Sequence, residues 1–405
     1  MRRTLATLDR SRAFAPLIRT VPLFRTRFLP ATDDRLSVTY HVRADAADIE
    51  ARARAIAVEQ SVEMPPEAID DSAVLADIVG RVEDILDLGD GRFAVRIGLA
   101  SATIGADAGQ LMTMLFGNAS LLDDVTLADC VFPPGFTAAF GGPRHGIDGL
   151  RRRAGRPRGA LTCSALKPLG LPAERLGELA GRLAMGGLDF IKDDHGIGDQ
   201  ALAPFARRVT AVAARVRAAN RATGGATRYV PSLTGDLDQL RTGAAIARNE
   251  GLDTVMVAPL VAGLPAFRAL AAAFPDLAFI AHPAMAGAAR ILPPLLLGTL
   301  FRLVGADATI FPHHGGRFGY SPATCRSLAD RARRSWRDGA TAIAPTLPVP
   351  AGGMSPERVA ELLDFYGDDT MLLIGGSLLA AEEGVTAAAS SFASAVRRHG
   401  TAGRS

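Results

Sequence analysis

Short apolar runs alternate with longer amphipathic stretches from about residue 158 to the end of the chain. Each run is rich in β-forming residues and ends in a polar or Gly/Pro cluster, while the intervening stretches carry apolar residues at helical spacing. Eight runs fit this pattern: 160–166, 187–192, 228–233, 253–260, 277–283, 307–313, 341–347 and 370–376. Eight β–α alternations predict an α/β fold with a (β/α)8 TIM barrel, and an open doubly wound sheet is the alternative.

The first 145 residues follow a different pattern. Alternation predicts strands over 36–44, 93–100 and 123–132, and helical spacing predicts helices over 48–61 and from 109 onward. Strands and helices mixed in this order predict a small α+β domain. Residues 133–157 are dense in Gly, Pro and Arg, so we place the boundary there, with domains at 1–145 and 146–405.

Composition restricts the class of protein. Hydrophobic residues make up 48% of the 405 residues and charged residues 21%, as in ordinary globular proteins. The net charge is +3, only one Trp and four Tyr are present, and no basic stretch is interleaved with aromatic residues. This pattern argues against nucleic-acid binding and favours a small anionic substrate.

Location is indicated by three further features. No run approaches the roughly 18 apolar residues of a membrane span, so we expect no membrane insertion. Cys130, Cys163 and Cys325 match no zinc or redox spacing, and the N-terminus lacks the pattern of a signal peptide. We therefore expect a cytoplasmic protein.

Ionisable side chains follow several of the predicted barrel strands, at the end where such barrels carry their chemistry. The residues are Lys167 after the first run, 192–195 (KDDH) at the second, His282 at the fifth, and His313 and His314 at the sixth. Lys192 and Asp194 are two apart on a strand and share a face, while Asp193 points the other way. That pair can contribute to a divalent-cation site or form a buried salt bridge, and the residue types leave both open.

Paired glycines follow the last two runs. Gly352 and Gly353, and then Gly375 and Gly376, precede helical stretches, where main-chain amides can approach an anion. Because phosphate sites in these barrels commonly form after strands seven and eight, we expect a phosphorylated substrate here. Arg317 in the segment HHGGRFGYS is a candidate second anion contact, and a tight solvated turn is the alternative for that segment.

GGLDFIKDDHG, residues 186–196, resembles the metal-site segment of the RuBisCO large-subunit superfamily, whose pattern is GGxDFxKDDE. Other matching stretches follow the same order along most of the chain: AVEQSVEMP, FGN at 116–118, ALKPLGL, AHPAM, AGG and LIGGS. The resemblance implies a ferredoxin-like N-terminal domain, a C-terminal barrel, and a homodimer. In that dimer each active site would lie between one barrel and the N-terminal domain of the other subunit.

The resemblance also implies a cofactor. Lys192 would be carbamylated by CO2 and would become an oxygen ligand for Mg²⁺, with Asp194 as the second ligand and His195 in the position of the third. A carbamate is negatively charged, which explains how a lysine can belong to a cation site.

Catalytic roles are implied for four more residues. Lys167 would carry a proton near the reacting carbon, Glu59 and Asn118 would be supplied across the dimer, and His282 would contact phosphate or hydroxyl groups of the substrate.

Departures from the family pattern argue against carbon fixation. The third metal ligand, normally Glu, is His195; the Arg after the strand-five His is Pro283; and the Ser before the strand-seven glycines is Ala351. LKPLGL lacks the second Lys of its segment, and the strand-six segment has no mobile-loop Lys. The pattern is that of a RuBisCO-like protein of form IV, the non-carboxylating branch.

Members of that branch share the formation of an enolate from a metal-bound ketone. The altered third ligand and the missing Lys favour a decarboxylase, a lyase acting on a phosphorylated keto-sugar or a 3-oxo sugar acid. One alternative is an isomerase of the 5-methylthioribulose-1-phosphate type. Another is the methionine-salvage enolase, which carries a Lys where Asn118 stands, and a third is an inactive binding or regulatory barrel.

Overall fold

The computed structural model describes residues 18–20, 34–316, 318–339 and 341–402. The chain divides into two compact units. The first comprises the residues up to Gly105 together with Met112–Pro133, and the second comprises Ala106–Leu111 and the residues from Pro134 onward. Within the described ranges, no helix is long and apolar enough to cross a membrane.

The first unit is built on a five-stranded sheet with the order β1-β3-β4-β2-β5. Its strands are β1 (Ile18–Thr20), β2 (Arg35–Arg43), β3 (Arg81–Gly89), β4 (Arg92–Ala100) and β5 (Val125–Val131). Its helices are α1 (Ile49–Glu59) and α2 (Ala108–Phe116), the second of which begins in residues assigned to the other unit. From β2 to β5 the chain runs β-α-β-β-α-β, which is the ferredoxin-like order predicted by the resemblance.

The second unit contains eight parallel strands in the order β8-β7-β6-β15-β14-β11-β10-β9. They are β6 (Leu161–Leu166), β7 (Phe190–Asp193), β8 (Arg228–Val230), β9 (Thr254–Val257), β10 (Ala278–Ala281), β11 (Ala308–Pro312), β14 (Leu347–Ala351) and β15 (Met371–Leu373). Between β11 and β14 the hairpin strands β12 (Trp336–Asp338) and β13 (Thr341–Ile343) pair antiparallel.

Hydrogen bonds between β9 and the residues that follow β8 bring the sheet round into a barrel. The Met256 N–H donates to the Pro231 carbonyl over 2.9 Å, and the Leu233 N–H donates to the Met256 carbonyl over 2.8 Å. Inward side chains of the strands, with Ile147 and Leu150, form one buried core. The barrel is therefore confirmed, and the open doubly wound sheet is excluded.

Helices lie between the strands, as the alternation predicts. They are α3 (Gly146–Arg153), α4 (Ala173–Met185), α5 (Phe205–Thr223), α6 (Leu237–Asn249), α7 (Pro259–Ala262), α8 (Leu264–Ala273), α9 (Pro293–Leu295), α10 (Phe301–Leu303), α11 (Pro322–Arg333), α12 (Val359–Tyr366), α13 (Gly376–Leu379) and α14 (Val385–Ala402). A π-helical turn, Leu296–Leu300, joins α9 to α10.

The seventh barrel strand lies later than the sequence predicts. The run 341–347 was assigned to this strand, but its first residues form β13, and the barrel strand is β14, with the sequence LPVPA. Proline has no N–H for a strand ladder, so this sequence is not typical of a central strand. The Pro348 carbonyl accepts a hydrogen bond from Thr370 Oγ1 over 3.1 Å, so Pro348 faces β15. Since β14 pairs with β15 only at Ala351 and Leu373, the pairing of these two strands does not need an N–H from either proline.

Candidate active site

The barrel brings most of the predicted site residues to one end. Lys167 directly follows β6, Lys192 lies in β7 and Asp194 follows it, and His282 directly follows β10. The two glycine pairs follow β14 and β15. Because the eight strands are parallel, all of these positions lie at the carboxyl end of the barrel, where such folds carry their chemistry.

Lys167 and Asp194 form an ion pair. Lys167 Nζ donates to Asp194 Oδ2 over 2.6 Å, and the Asp194 side chain is only 9% exposed. Burial opposes the charge of Asp194, but the hydrogen bond from Lys167 and the nearby charges of both lysines outweigh it and hold the pKa of Asp194 below its usual range. The buried Lys192–Asp194 salt bridge, one of the two alternatives from the sequence, is therefore replaced by a pair with a different lysine.

Lys192 is buried, with 3% exposure. Its Nζ donates to the Asp193 carbonyl over 2.9 Å. Burial is the main cause that lowers the pKa of Lys192, and the charge of Lys167 lowers it further. The carboxylates of Asp194 and Asp193 raise it, but they do not outweigh the burial. A lowered pKa increases the fraction of neutral amine, which is the nucleophilic form of lysine.

His195 and His282 stack on each other. Their ring centroids are 4.4 Å apart and the planes differ by 12°. Burial, with Lys192 and His195 nearby, lowers the pKa of His282 to about 2, so its imidazole is neutral. The Ala284 N–H donates to His282 Nδ1 over 3.1 Å, which places the proton of the neutral ring on Nε2. His195 Nδ1 lies 3.5 Å from Asp194 Oδ1, so His195 belongs to the same cluster.

Asp193 points away from this cluster, as the strand alternation predicts. It contacts Arg208 and Tyr229, two residues that the sequence reasoning did not select. The signal for Arg208 is its position in α5, because it stands four and eight residues before the buried Val212 and Val216 on the apolar face. A charged residue on such a face requires a buried partner.

The two glycine loops adjoin each other. Ser377 Oγ, one residue after the second pair, donates to the Met354 carbonyl, one residue after the first pair, over 3.2 Å. Gly352 and Gly353 have φ of 84° and 69°, which glycine adopts without strain. The helix α13, which begins at Gly376, has only four residues. An anion at this loop would therefore be bound by exposed main-chain N–H groups and not by the end of a long helix.

A groove of about 470 Å³ opens beside Lys167 and Gly376. Its apolar wall includes Leu171, Leu379 and Val385. Arg175, Glu178 and Arg182 of α4 also line it, so the groove runs along that helix and meets the predicted site at Lys167 and Gly376.

The remaining candidates are distributed as follows. His313 is buried after β11, where its Nδ1 lies 2.9 Å from Tyr366 Oη, and its ring contacts that of His314 with centroids 4.1 Å apart. Arg317, the predicted anion contact, lies outside the described residues. Cys163 lies in the buried core of the barrel, and burial raises the pKa of its thiol to about 12, so the thiol is protonated at neutral pH.

Glu59 and Asn118 are brought together within the first unit. Glu59 ends α1, Asn118 lies just after α2, and Asn118 Nδ2 donates to Glu59 Oε1 over 2.7 Å. Two residues that are 59 positions apart therefore form one polar contact.

Lysine usage carries a signal that the sequence reasoning did not exploit. Of the 45 Lys and Arg residues in the whole sequence, only Lys167 and Lys192 are lysines. Arginine stays protonated at any ordinary pH, whereas an amine can release its proton or react as a nucleophile. The chain thus places both of its lysines, the side chains that can do this chemistry, in one cluster.

The donor set was compared with the needs of a divalent cation. Among the described residues, no three His, Cys, Asp or Glu side chains are grouped so that they could hold a metal ion. Asp194 and His195 supply one carboxylate and one imidazole, and Lys192 as an amine supplies no anionic oxygen. The set fits Mg²⁺ only when a further anionic group is added, and a carbamate on the adjacent Lys192 is such a group.

Comparison with known proteins assigns the family. The model of the ribulose bisphosphate carboxylase large chain, catalytic domain, matches residues 146–402. The chain belongs to the RuBisCO large-chain family. The predicted resemblance is confirmed, and the family match covers every barrel residue described above.

Its relatives include RuBisCO-like proteins. The chain is 56% identical over 364 residues to the 5-methylthioribulose-1-phosphate isomerase of Rhodospirillum rubrum, covering 90% of this chain and 96% of that protein. It is 33% identical over 318 residues to the 2,3-diketo-5-methylthiopentyl-1-phosphate enolase of Geobacillus kaustophilus, covering 75% of each. The crystal structure of a Rubisco-like protein from Rhodopseudomonas palustris matches with a TM-score of 0.84 and 50% identity, over 91% of this chain and 99% of that chain.

Proposed function

We propose that the protein is an isomerase of a phosphorylated ketose of the 5-methylthioribulose 1-phosphate type. The observation that carries this proposal is the 56% identity to a protein of that name over 90% of this chain. The cluster of Lys167, Lys192 and Asp194 supports it, because it joins a proton carrier to candidate metal ligands.

The reaction class requires a proton to leave one carbon and to return at another. The C–H electrons of the hydroxyl-bearing carbon next to the ketone form a C=C bond, while the carbonyl π electrons move to the ketone oxygen, which takes up a proton. The hydroxyl on the first carbon then loses its proton and becomes the new carbonyl as the former ketone carbon is protonated, without net oxidation. Lys167 is the proton carrier in this proposal, and Asp194 orients its Nζ. Neutral His282 offers its Nε2–H to a substrate oxygen, and the two glycine loops hold the phosphate.

Mg²⁺ and a Lys192 carbamate are part of the proposal. Asp194, His195 and the carbamate would hold the ion, which when bound stabilises negative charge on the substrate oxygen. Burial of Lys192 keeps its amine available for CO2, and Asp194 remains ionised at neutral pH.

The comparisons give no support to the decarboxylase predicted from the sequence. The methionine-salvage enolase remains a second candidate, since an enolase of that kind is 33% identical over 75% of this chain. Asn118 stands where that enolase carries a Lys, which favours the isomerase.

A homodimer with shared active sites and a cytoplasmic location complete the proposal. Buried free thiols at all three cysteines support a reducing compartment.

To test the sharing of sites, inactive Lys192→Ala and Asn118→Ala chains are mixed and allowed to exchange subunits. Shared sites restore about a quarter of the activity, because half of the dimers contain one intact site. Sites confined to one chain restore none.

The test of the function itself is a substrate assay. The protein is incubated in D2O with Mg²⁺, bicarbonate and 5-methylthioribulose 1-phosphate, and the products are followed by NMR. The proposal expects an isomeric sugar phosphate with deuterium at the carbon that carried the original ketone. Parallel assays with the diketo phosphate and with 3-oxo sugar acids report enolisation and CO2 release. Turnover of either one, with the ketose phosphate unchanged, contradicts the isomerase.

A further inference from the structure

One buried arginine is hydrogen-bonded to the loop between β7 and α5, residues 194–204. Arg208 lies near the start of α5 and is 0% exposed. Its Nε donates to Asp193 Oδ2 over 3.1 Å, and its Nη1 donates to the Gly198 carbonyl over 2.6 Å and to the Ala203 carbonyl over 2.8 Å. A single planar group therefore joins the end of β7 to two points of the loop that begins with Asp194.

Asp193 has further partners on the neighbouring strand β8 and just after it. Tyr229 Oη donates to Asp193 Oδ1 over 2.8 Å, and the Ser232 N–H donates to Oδ2 over 3.1 Å. Both carboxylate oxygens are thus occupied by buried donors, which are costly to leave unpaired. Since Asp193 lies between Lys192 and Asp194, this anchor fixes the direction in which both neighbours point.

We infer that Arg208 is a positioning residue that, with Tyr229, sets the geometry of the 194–204 loop and thereby the convergence of Lys192 and Asp194. The link to Mg²⁺ rests on the proposed function, whereas the hold on the loop does not. Lysine cannot replace Arg208, because one ammonium group does not reach a carboxylate and two carbonyls in the fixed directions of a guanidinium. Loss of an outer partner of a metal ligand typically changes metal affinity about 10- to 100-fold, and Arg208 acts on the proposed ligands through Asp193 and the loop.

Three variants of the full chain test the inference. Arg208→Lys keeps the charge and loses the planar contacts. Tyr229→Phe removes only one hydroxyl and protects the test if the first variant folds poorly. Thr227→Val is the matched control, because Thr227 Oγ1 is a buried hydroxyl that donates to the Leu188 carbonyl over 2.6 Å at the opposite end of the same two strands.

Two readouts are taken on each variant. Hydrogen–deuterium exchange with mass spectrometry reports the amides of residues 194–204 without any metal, and calorimetry reports Mg²⁺ binding in bicarbonate buffer. We expect faster exchange in that loop for Arg208→Lys and Tyr229→Phe, with unchanged exchange there for Thr227→Val. We also expect Mg²⁺ binding to weaken about 10- to 100-fold in Arg208→Lys and to stay near wild type in the control.

The outcomes separate the inference from the proposed function. Unchanged loop exchange in both test variants overturns the positioning role. Faster exchange with unchanged Mg²⁺ affinity overturns its link to the metal ligands. A wild-type protein that binds no Mg²⁺ overturns the proposed cofactor, while the exchange measurement still decides whether Arg208 holds the loop.

Discussion

Lys167 Nζ lies 2.6 Å from Asp194 Oδ2, and this contact joins the carboxyl ends of β6 and β7. The predicted proton carrier is thus bonded directly to a predicted metal ligand. The two roles share one carboxylate, so a change at either residue should be felt by the other. Variants of the two lysines separate their contributions.

Lys192→Arg should remove the carbamate. Arginine keeps the positive charge but does not become a neutral amine, which is the form that attacks CO2. With 13CO2, wild-type protein should show a carbamate signal in the 13C NMR spectrum. The signal should vanish in Lys192→Arg and persist in Lys167→Arg, which is the matched control. Equal signals in the two variants would assign the carbamate elsewhere, for example to the N-terminal amine.

Lys167→Met should slow proton transfer while leaving the carbamate intact. General acid–base groups contribute about 10²- to 10⁴-fold to the rate, so deuterium incorporation from D2O should fall by that factor. The 13C carbamate signal serves as the control for an intact Lys192. Exchange at the wild-type rate would show that another group carries the proton.

Gly316→Ala should disturb the glycine loop after β14, which is the first of the two proposed phosphate loops. A Cβ at Gly316 would lie 2.6 Å from the Gly352 carbonyl oxygen, so the main chain of that loop must shift. A misplaced loop should raise the KM for a phosphorylated substrate more than it lowers kcat. Gly319→Ala is the matched control, because no atom lies within 4 Å of the Cβ it would add. Similar KM values in the two variants would separate this loop from phosphate binding.

Asp338→Asn should destabilise the barrel unit in a pH-dependent manner. Burial opposes the charge of Asp338, but hydrogen bonds from Thr137, Gly135 and Ala138 outweigh it and hold the pKa of Asp338 below its usual range. The folded state therefore favours the ionised form. The stability that this gives is present above the unfolded-state pKa of about 3.9 and is lost as the pH falls through the folded-state pKa.

The measurement is urea unfolding of wild type and Asp338→Asn at several pH values. Hydrogen bonds to charged groups contribute about 1.5–3 kcal/mol, so a loss of that order is expected at pH 7. The difference between the two proteins should shrink below pH 4. A difference that stays constant down to pH 3 would contradict the role of the charge.

The sequence predicted those parts of the fold and the site that depend on local patterns. Alternating runs and helical spacing located seven of the eight barrel strands, because a buried parallel strand is a short apolar run whatever its neighbours are. The positions of Lys167, Lys192 and His282 followed from the rule that strand ends carry the chemistry.

Features that depend on tertiary partners were not predictable in this way. The strand β14 was missed because its two prolines are typical of a loop. They are tolerated because they face β15, with which β14 pairs only at Ala351 and Leu373. The β3 strand was missed because it carries Glu83, Asp84 and Asp87 in a partly exposed position of the sheet. The contact of Arg208 with Asp193 joins residues 15 positions apart, and no local pattern encodes it.

The prolines of β14 have a consequence for how the barrel comes apart. Pro348 and Pro350 offer no N–H toward β15, so the joint between these two strands has a single main-chain pairing, next to the hydrogen bond from Thr370 Oγ1 to the Pro348 carbonyl. Native-state exchange should find the ring opening at this joint and at the joint of β8 with β9, where Ser232 and Met256 form an isolated bridge. The two glycine pairs follow β14 and β15, the strands on either side of this joint. An anion bonded to both loops would therefore hold these strands together, and its binding would stabilise the folded barrel.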